Sequence, residues 1–538
     1  MKNILFSKKR KIIYSLLFSI LFSTLQVIGY NCYKFDTAKL YSIATYLWIL
    51  LITIITYIIT NLIWSIPIIK SKKIKAFEFL FNKKYSFFLL LLLIIICWLP
   101  VLISFFPGNF SYDAGTQIRM LLFDVVTKYH PVMHTVFLEI TIYLGHAIFN
   151  SWNIGLLIHS IIQMLIMASI FSYTLIYLHK KKLPDYLLLF LLILYSFLPT
   201  HSVFSITTTK DVLFSGLFNI VLICYIELCT NKIFFTKKNI IITILSTFLL
   251  ISFRNNMIYA FILFIPFIIL YYKKDFKKLS IIFISILAIT IIYDKTLTHI
   301  FKIENGPRVE MFSFVVQQFA RTYNKDNISK EYKEDIKLLF LNNSLKDYNS
   351  HLSDPVKSNF NTEELLNNKK KYIKLYTHLL IENPNTFIDS ILNNTYSFYY
   401  LFDKLPDPNT KTYIELNCIK EVDNSIERND NCNFKNNFLY KIVNNAEYQK
   451  IPLLNIFMNM AFYFIVLLLT SFYVLYKKKY KLFFPLLLLI LYMLTNILAP
   501  VSIVRYAYPL FTTFPIIIYI YYQTKKDDCQ IVCVDTNK

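Results

Sequence analysis

The sequence predicts an all-α polytopic membrane protein, and three observations predict it. Of 538 residues, 56% are hydrophobic and 17% aromatic, and the mean hydropathy is +0.48. The apolar residues come in repeated runs of roughly 17 to 25 residues, the length that crosses about 30 Å of hydrocarbon as helix. The cations stand in short clusters between the runs, as the positive-inside rule orders loops beside anionic headgroups. A soluble globular enzyme is thereby excluded. Folds that cradle nucleotides on Gly-rich loops are excluded as well. Average usage would give roughly 38 Gly, the chain has 7, and none are spaced as G-x-G-x-x-G or G-x-x-x-x-G-K-[ST]. The formal charge of +23 reads as inner-face lysine and not as a nucleic-acid surface.

Taken in order, the expected spans are 12–30, 42–69, 86–106, 154–178, 184–200, 206–230, 239–253, 257–272, 279–293, 452–476, 482–499 and 506–522. The first follows Lys8, Lys9, Arg10 and Lys11 without a small-residue cleavage site, so it reads as a retained anchor. With the N-terminus inside, twelve crossings put every basic cluster on the cytoplasmic side: 70–75 with Lys83 and Lys84, Lys180 to Lys182, Lys232 to Lys238, Lys273 to Lys278, Lys477 to Lys481, and Lys525 with Lys526. This holds provided 131–149 does not cross. That stretch carries His134, Glu139 and His146, and is expected as an amphipathic helix in the outer interface. The hairpin between 239–253 and 257–272 turns at Arg254, Asn255 and Asn256.

The chain divides into two extra N-terminal spans with a cytoplasmic loop (1–85), a seven-span unit (86–293) with an external loop (107–153), an extracytoplasmic domain (294–450), and three C-terminal spans with a tail (451–538). The extracytoplasmic domain is rich in Asn, Lys, Asp and Tyr and is expected to be mostly helical. Within it, VEMFSFVVQQFAR at 309–321 has apolar residues at helical spacing. Cys418 and Cys432 both fall in this domain, 14 residues apart. An oxidising exterior would join them in a loop worth about 3 kcal/mol, and two free thiols are the alternative. Cys97 and Cys224 lie in spans and read as small apolar residues.

Ionisable groups at membrane depth are costly, so each is a functional candidate. The densest cluster is PGNFSYDAGTQIRMLLFDVVTKYHPVMHT, 107–135. Asp113 has two readings: N-cap of a helix from about 114, or general base at the membrane surface. His130 and His134, four apart, would share a helix face and with Asp113 resemble a metal set. The Glu of H-E-x-x-H is missing, however, and no metal or other cofactor is expected. In ITTTKDVLF, Lys210 and Asp211 read either as an ion pair capping a helix or as part of a site. Arg254 and Arg505 sit at outer helix ends, where snorkelling is the ordinary explanation. With Arg308 and Arg321 they would form a set of guanidinium groups suited to clamping phosphate.

Those segments, in that order, resemble the GT-C superfamily of polytopic glycosyltransferases. More closely, PGNFSYDAGTQ, YHPVMHT, TTTKDVLF, FVVQQFART and VRYAYPL are similar to segments of a bacterial family within it that has no assigned substrate. The resemblance covers about 86 to 522. It implies a seven-span module with juxtamembrane helices, and an inverting transfer of sugar from a polyprenyl-phosphate donor to a glycan, lipid or protein acceptor outside the cell membrane. Asp113 would be the catalytic acid of the first external loop. Tyr112, Gln117, His130, His134, Lys210, Asp211, Arg254, Gln317, Gln318, Arg321 and Arg505 would bind substrate. The first acid stands alone where a D-x-D is usual, and the second turn has Lys-Asp. The rival reading is a transporter or flippase of lipid-linked glycans, which would carry polar groups along the span interiors. Only His159, Gln163 and Glu227 stand out there.

Overall fold

The computed structural model describes residues 2–68, 79–123, 125–231, 235–404, 412–422 and 425–535. The basic cluster at 70–75 and Lys232 fall outside the described residues. Among those described, the chain is a bundle of apolar helices carrying a mostly helical polar domain, so it is a multi-pass membrane protein. Its centre is the Lys210–Thr230 helix, of whose membrane-length window 78% is buried. A helix apolar on all sides finds neighbours on all sides, and this one packs against the helices Trp152–Lys180, Lys237–Phe253, Tyr480–Thr495 and Val504–Asp535.

Among the described residues, eight helices are long and apolar enough to cross a membrane, or ten if each of two bent pairs is one span. This differs from the expected twelve at three places. The Lys237–Phe253 and Met257–Tyr271 helices have 17 and 15 residues, about 26 and 22 Å of rise, short of the hydrocarbon thickness. Val504–Asp535 combines apolar turns with Tyr, Thr and Pro and falls outside the eight. Val132–Phe149, expected in the interface, qualifies by length and composition. It bends through a π turn at Glu139–Tyr143 and packs against the following helix from Phe137 onward. There Gly145 lies against Gly155, and Thr141 reaches His159 Nδ1 at 2.9 Å.

The polar groups within the helices have local structural tasks. Gln163 donates to the carbonyls of Ser205 (3.0 Å) and Thr207 (2.9 Å), fixing the turn that leads into Lys210. Glu227, at the opposite end of the central helix, pairs with Lys181 at 2.5 Å and accepts from Tyr177.

The polar domain that follows the Phe276–His299 helix has its own core, where Val316, Phe319, Ile336, Leu339, Leu379 and Phe387 are buried together. It is helical as expected, with an addition: strands Cys418–Val422 and Ser425–Asn429 pair antiparallel, and Cys418 and Cys432 are disulfide-bonded beside them. The domain docks on the Lys2–Phe35 helix and the turn after it. Gln26 Nε2 donates to Tyr399 O (2.6 Å) and its Oε1 accepts from Leu401 N (3.0 Å), and Ala38 N donates to Asp389 (2.8 Å).

Candidate functional site

Three segments distant in sequence are knitted together where the Ser86–Ser104 helix ends. Asn109 N donates to Ile206 O and Thr208 N donates back to Asn109 O, both at 3.0 Å. The Asn109 side chain bonds Thr207 Oγ1, Glu415 O and Asn417 N. Gly108 is obligatory here. Its φ is +150°, and a Cβ would stand 2.1 Å from Ser160 Oγ. Tyr112 then adopts φ +56°, a conformation that is uncommon for a bulky residue and needs external support. Glu415 supplies it: Tyr112 N donates to Glu415 Oε2 and Glu415 N donates to the Tyr112 hydroxyl, each at 3.0 Å.

Asp113 occupies the N-cap position of the Ala114–Leu122 helix, yet its side chain makes no capping hydrogen bond, so the capping reading is corrected. The carboxylate faces two cations and an imidazole instead. Lys210 Nζ lies 2.5 Å from Asp113 Oδ2, Arg505 Nη1 3.5 Å and His130 Nδ1 3.6 Å. Burial alone would raise the Asp113 carboxyl, but the Lys210 ammonium and the Arg505 guanidinium outweigh it and hold the group well below the usual carboxylate range. Burial pushes His130 down to about 4, so its imidazole is neutral at physiological pH.

Asp211, with no exposed surface, pairs with Arg254 and stands 3.9 Å from Arg505 Nε. Arg254 Nε donates to Asn256 Oδ1 (3.0 Å), which is tied to Thr495. The guanidinium faces of Arg254 and Arg505 lie 4.5 and 5.0 Å from the Tyr506 ring, and Arg505 lies 4.3 Å from that of Tyr112. The aromatic faces keep the two cations apart and oriented. The cluster therefore holds three cations, Lys210, Arg254 and Arg505, against two carboxylates. Buried Arg505 Nε and Nη1 make no hydrogen bond among the described residues, although buried donors of this kind are almost always paired.

Gln117 and His134 lie behind the cluster and not in it. Gln117 Nε2 donates to Thr135 Oγ1 (2.7 Å), and its Oε1 meets His134 Nδ1 at 3.1 Å. His130 and His134 thus turn to different partners. Among the described residues, no group of three or more His, Cys, Asp or Glu side chains is placed to hold a metal ion.

Arg321, Gln317 and Gln318 are not brought to the cluster. Arg321 is buried between Asp36 (3.3 Å), Asp389 (3.7 Å) and the Tyr348 hydroxyl (3.1 Å), joining the polar domain to the turn after the first helix. Gln317 donates to Asn349 O at 2.5 Å, and Gln318 bonds Phe387 O and Tyr376. Arg308 is exposed. An amphipathic run ending in a cation suits a domain core with a buried ion pair as well as it suits a ligand. Glu415 and Tyr506 were not anticipated, because neither stands out among the acids of the insertion or the 40 Tyr.

Beside the cluster, a groove of about 420 Å³ opens between the helices Lys237–Phe253, Met257–Tyr271 and Phe276–His299. Its long walls are apolar, among them Ile251, Ile258, Ile262, Leu287 and Ile291. Its head carries Lys128, Asp294, Lys295 and His130, and His130 is shared with the Asp113 cluster. Lys128 is tied to Asp294 at 2.5 Å.

Residues 123–531 match a family of unknown function, DUF6020. The chain belongs to that DUF6020 family. The match spans His130, His134, Lys210, Asp211, Arg254 and Arg505, while Tyr112, Asp113 and Gln117 precede it. No curated protein and no solved structure matches the chain.

Proposed function

We propose that this protein is an inverting glycosyltransferase of the GT-C kind in a bacterial cell membrane. In this reading it moves a sugar from a polyprenyl-phosphate donor to an acceptor on the outer face, with Val132–Phe149 lying in the outer interface. The observation that carries the reading is the junction at His130. An apolar groove long enough to hold part of a lipid tail meets a buried cluster with one cation in excess and two guanidinium nitrogens without a hydrogen bond.

The chemistry follows from those charges. A phosphate on the lipid takes up the Arg505 donors that make no hydrogen bond and draws Lys210 toward itself, where cations stabilise the charge that develops as the phosphate leaves. Asp113, so released from its partners, regains basicity and accepts the proton of the acceptor hydroxyl. The acceptor oxygen bonds the anomeric carbon as the bond from that carbon to the phosphate oxygen breaks on the opposite face. Arg254 stays with Asp211 and holds the base of the cluster rigid. Neutral His130 offers a hydrogen bond without adding charge.

The test is sugar transfer by the full chain in vesicles supplied with polyprenyl-phosphate sugars, alongside mass spectrometry of cell-envelope glycans with and without the gene. A sugar missing from the envelope and transferred in vesicles supports the reading. Unchanged envelope glycans, with lipid-linked glycan moved across the bilayer but no glycosidic bond formed, would make the protein a transporter.

A further inference from the structure

The Lys210–Thr230 helix has 21 residues, so its two ends are about 30 Å apart, one hydrocarbon thickness. Lys210 belongs to the Asp113 cluster, and Thr230 lies in a second polar region at the opposite membrane surface. There two cavities, of about 760 and 480 Å³, adjoin and share Thr230, Tyr271 and Lys481.

Their walls bring together loops far apart in sequence. Lys273, Lys274 and Lys278 come from the connection between the Met257–Tyr271 and Phe276–His299 helices. Lys478, Lys479 and Lys481 come from the turn before and into the Tyr480–Thr495 helix. Among the described residues, Asp275 is the only carboxylate lining either cavity. Lys181, also at the rim, is already neutralised by Glu227 at 2.5 Å. Among the described residues, no ion pair joins Lys273, Lys274, Lys278, Lys478 or Lys481 to a carboxylate.

The floor is aromatic. Tyr271 stands 4.8 Å from Tyr272 and 5.2 Å from Phe484, and Lys278 lies over Phe235 at 4.8 Å. The preference for cations on an inner membrane face accounts for the sign of these residues. It does not account for their convergence, from two loops, on one concave crevice where like charges repel.

We propose that this crevice binds an anion bearing two phosphate groups, as presented by the headgroup of a diphosphate lipid. The lysines would meet the phosphates, and exposed Leu270 at the rim the start of the acyl chains. Basic pockets between helix ends are suited to such headgroups. The site is independent of the Asp113 chemistry.

The experiment uses the full chain in phosphatidylcholine nanodiscs, with thermal melting followed as cardiolipin or inorganic pyrophosphate is added. Cardiolipin is expected to raise the melting temperature in a saturable way. The triple variant Lys273→Gln, Lys274→Gln, Lys481→Gln changes only exposed side chains. At about fivefold per lysine, it should weaken the effect by on the order of 100-fold. A control triple in the external domain, Lys369→Gln, Lys370→Gln, Lys374→Gln, removes the same charge and should leave the response intact. An equal response to pyrophosphate, lost in the first triple alone, would keep the diphosphate site and make its source a soluble anion. No saturable shift with either anion, or a shift lost equally in both triples, overturns the proposal.

Discussion

Replacing Asp113 by Asn removes one negative charge and almost no volume, and the structure sets the sign of three consequences. The lost charge stands 2.5 Å from Lys210 and 3.5 Å from Arg505. At an effective dielectric of about 20, two unit charges 4 Å apart interact by about 4 kcal/mol. Asp113 keeps 28% of its side-chain exposure, so solvent screening reduces the usable share to about 1 to 2 kcal/mol. The variant should therefore be less stable by about that amount. Its cations, no longer held by a carboxylate, should bind a lipid phosphate roughly five to thirty times more tightly. If Asp113 is the base, turnover should nevertheless fall by on the order of 10² to 10⁴. Donor binding is measured by co-flotation of radiolabelled polyprenyl-phosphate sugar with reconstituted vesicles, and turnover by mass spectrometry of the product. Wild-type turnover in the variant would remove Asp113 from the mechanism and leave Asp211 as the next base. A folded variant that loses donor binding in step with turnover would make Asp113 a binding or scaffolding residue.

Three further outcomes are expected. Arg321→Ala breaks a buried ionic link to Asp36 and Asp389 and should destabilise the protein by about 3 kcal/mol, while turnover per folded molecule stays within about twofold. A tenfold loss of turnover without a loss of stability would return Arg321 to the donor site. Ile258→Trp fills the groove and should lower transfer from a long-chain donor at least tenfold with little effect on a short-chain one, and equal losses would show that the groove is not used. His130 is held at about 4 by burial first, with Lys210 and Arg505 adding to it. The unfolded chain takes up its proton near 6.5, so stability is fully present above that pH. It should decline by up to about 1.4 kcal/mol per unit as pH falls toward 4. Melting curves of wild type and His130→Gln from pH 7.5 to 4.5 check this, since the wild type should lose more over that range.

Much of the cluster was legible because charge is expensive at membrane depth. Tyr112, Asp113, His130, Lys210, Asp211, Arg254 and Arg505 all sit where an apolar run ends, and ends on one side of a bundle must meet. The same logic failed for Arg321, Gln317 and Gln318, which lie in a polar domain where a cation has many possible partners and no depth to constrain it. Glu415, which holds Tyr112 and so aims Asp113, sits in an insertion full of acids and amides and has no local signature. The groove was invisible for a different reason. It is space between three helices, and helical periodicity describes the faces of one helix at a time. The reading of Asp113 as a cap was sound about backbone position and wrong about the side chain, because Lys210 and Arg505, far along the chain, outbid the local N–H groups.

Asp113 and Arg505 are separated by nearly four hundred residues. At a ribosomal pace of 5 to 20 residues per second, roughly 20 to 80 seconds pass between the synthesis of the two. During that interval the nascent chain carries Asp113, Lys210 and Arg254 without the guanidinium that later stands 3.5 Å from Asp113 and 3.9 Å from Asp211. A polypeptide stalled before Arg505 would hold the Asp113 carboxylate against Lys210 without the second cation that shares it in the folded chain. Under the proposed glycosyltransferase reading, a copy stopped short of Arg505 would therefore transfer no sugar.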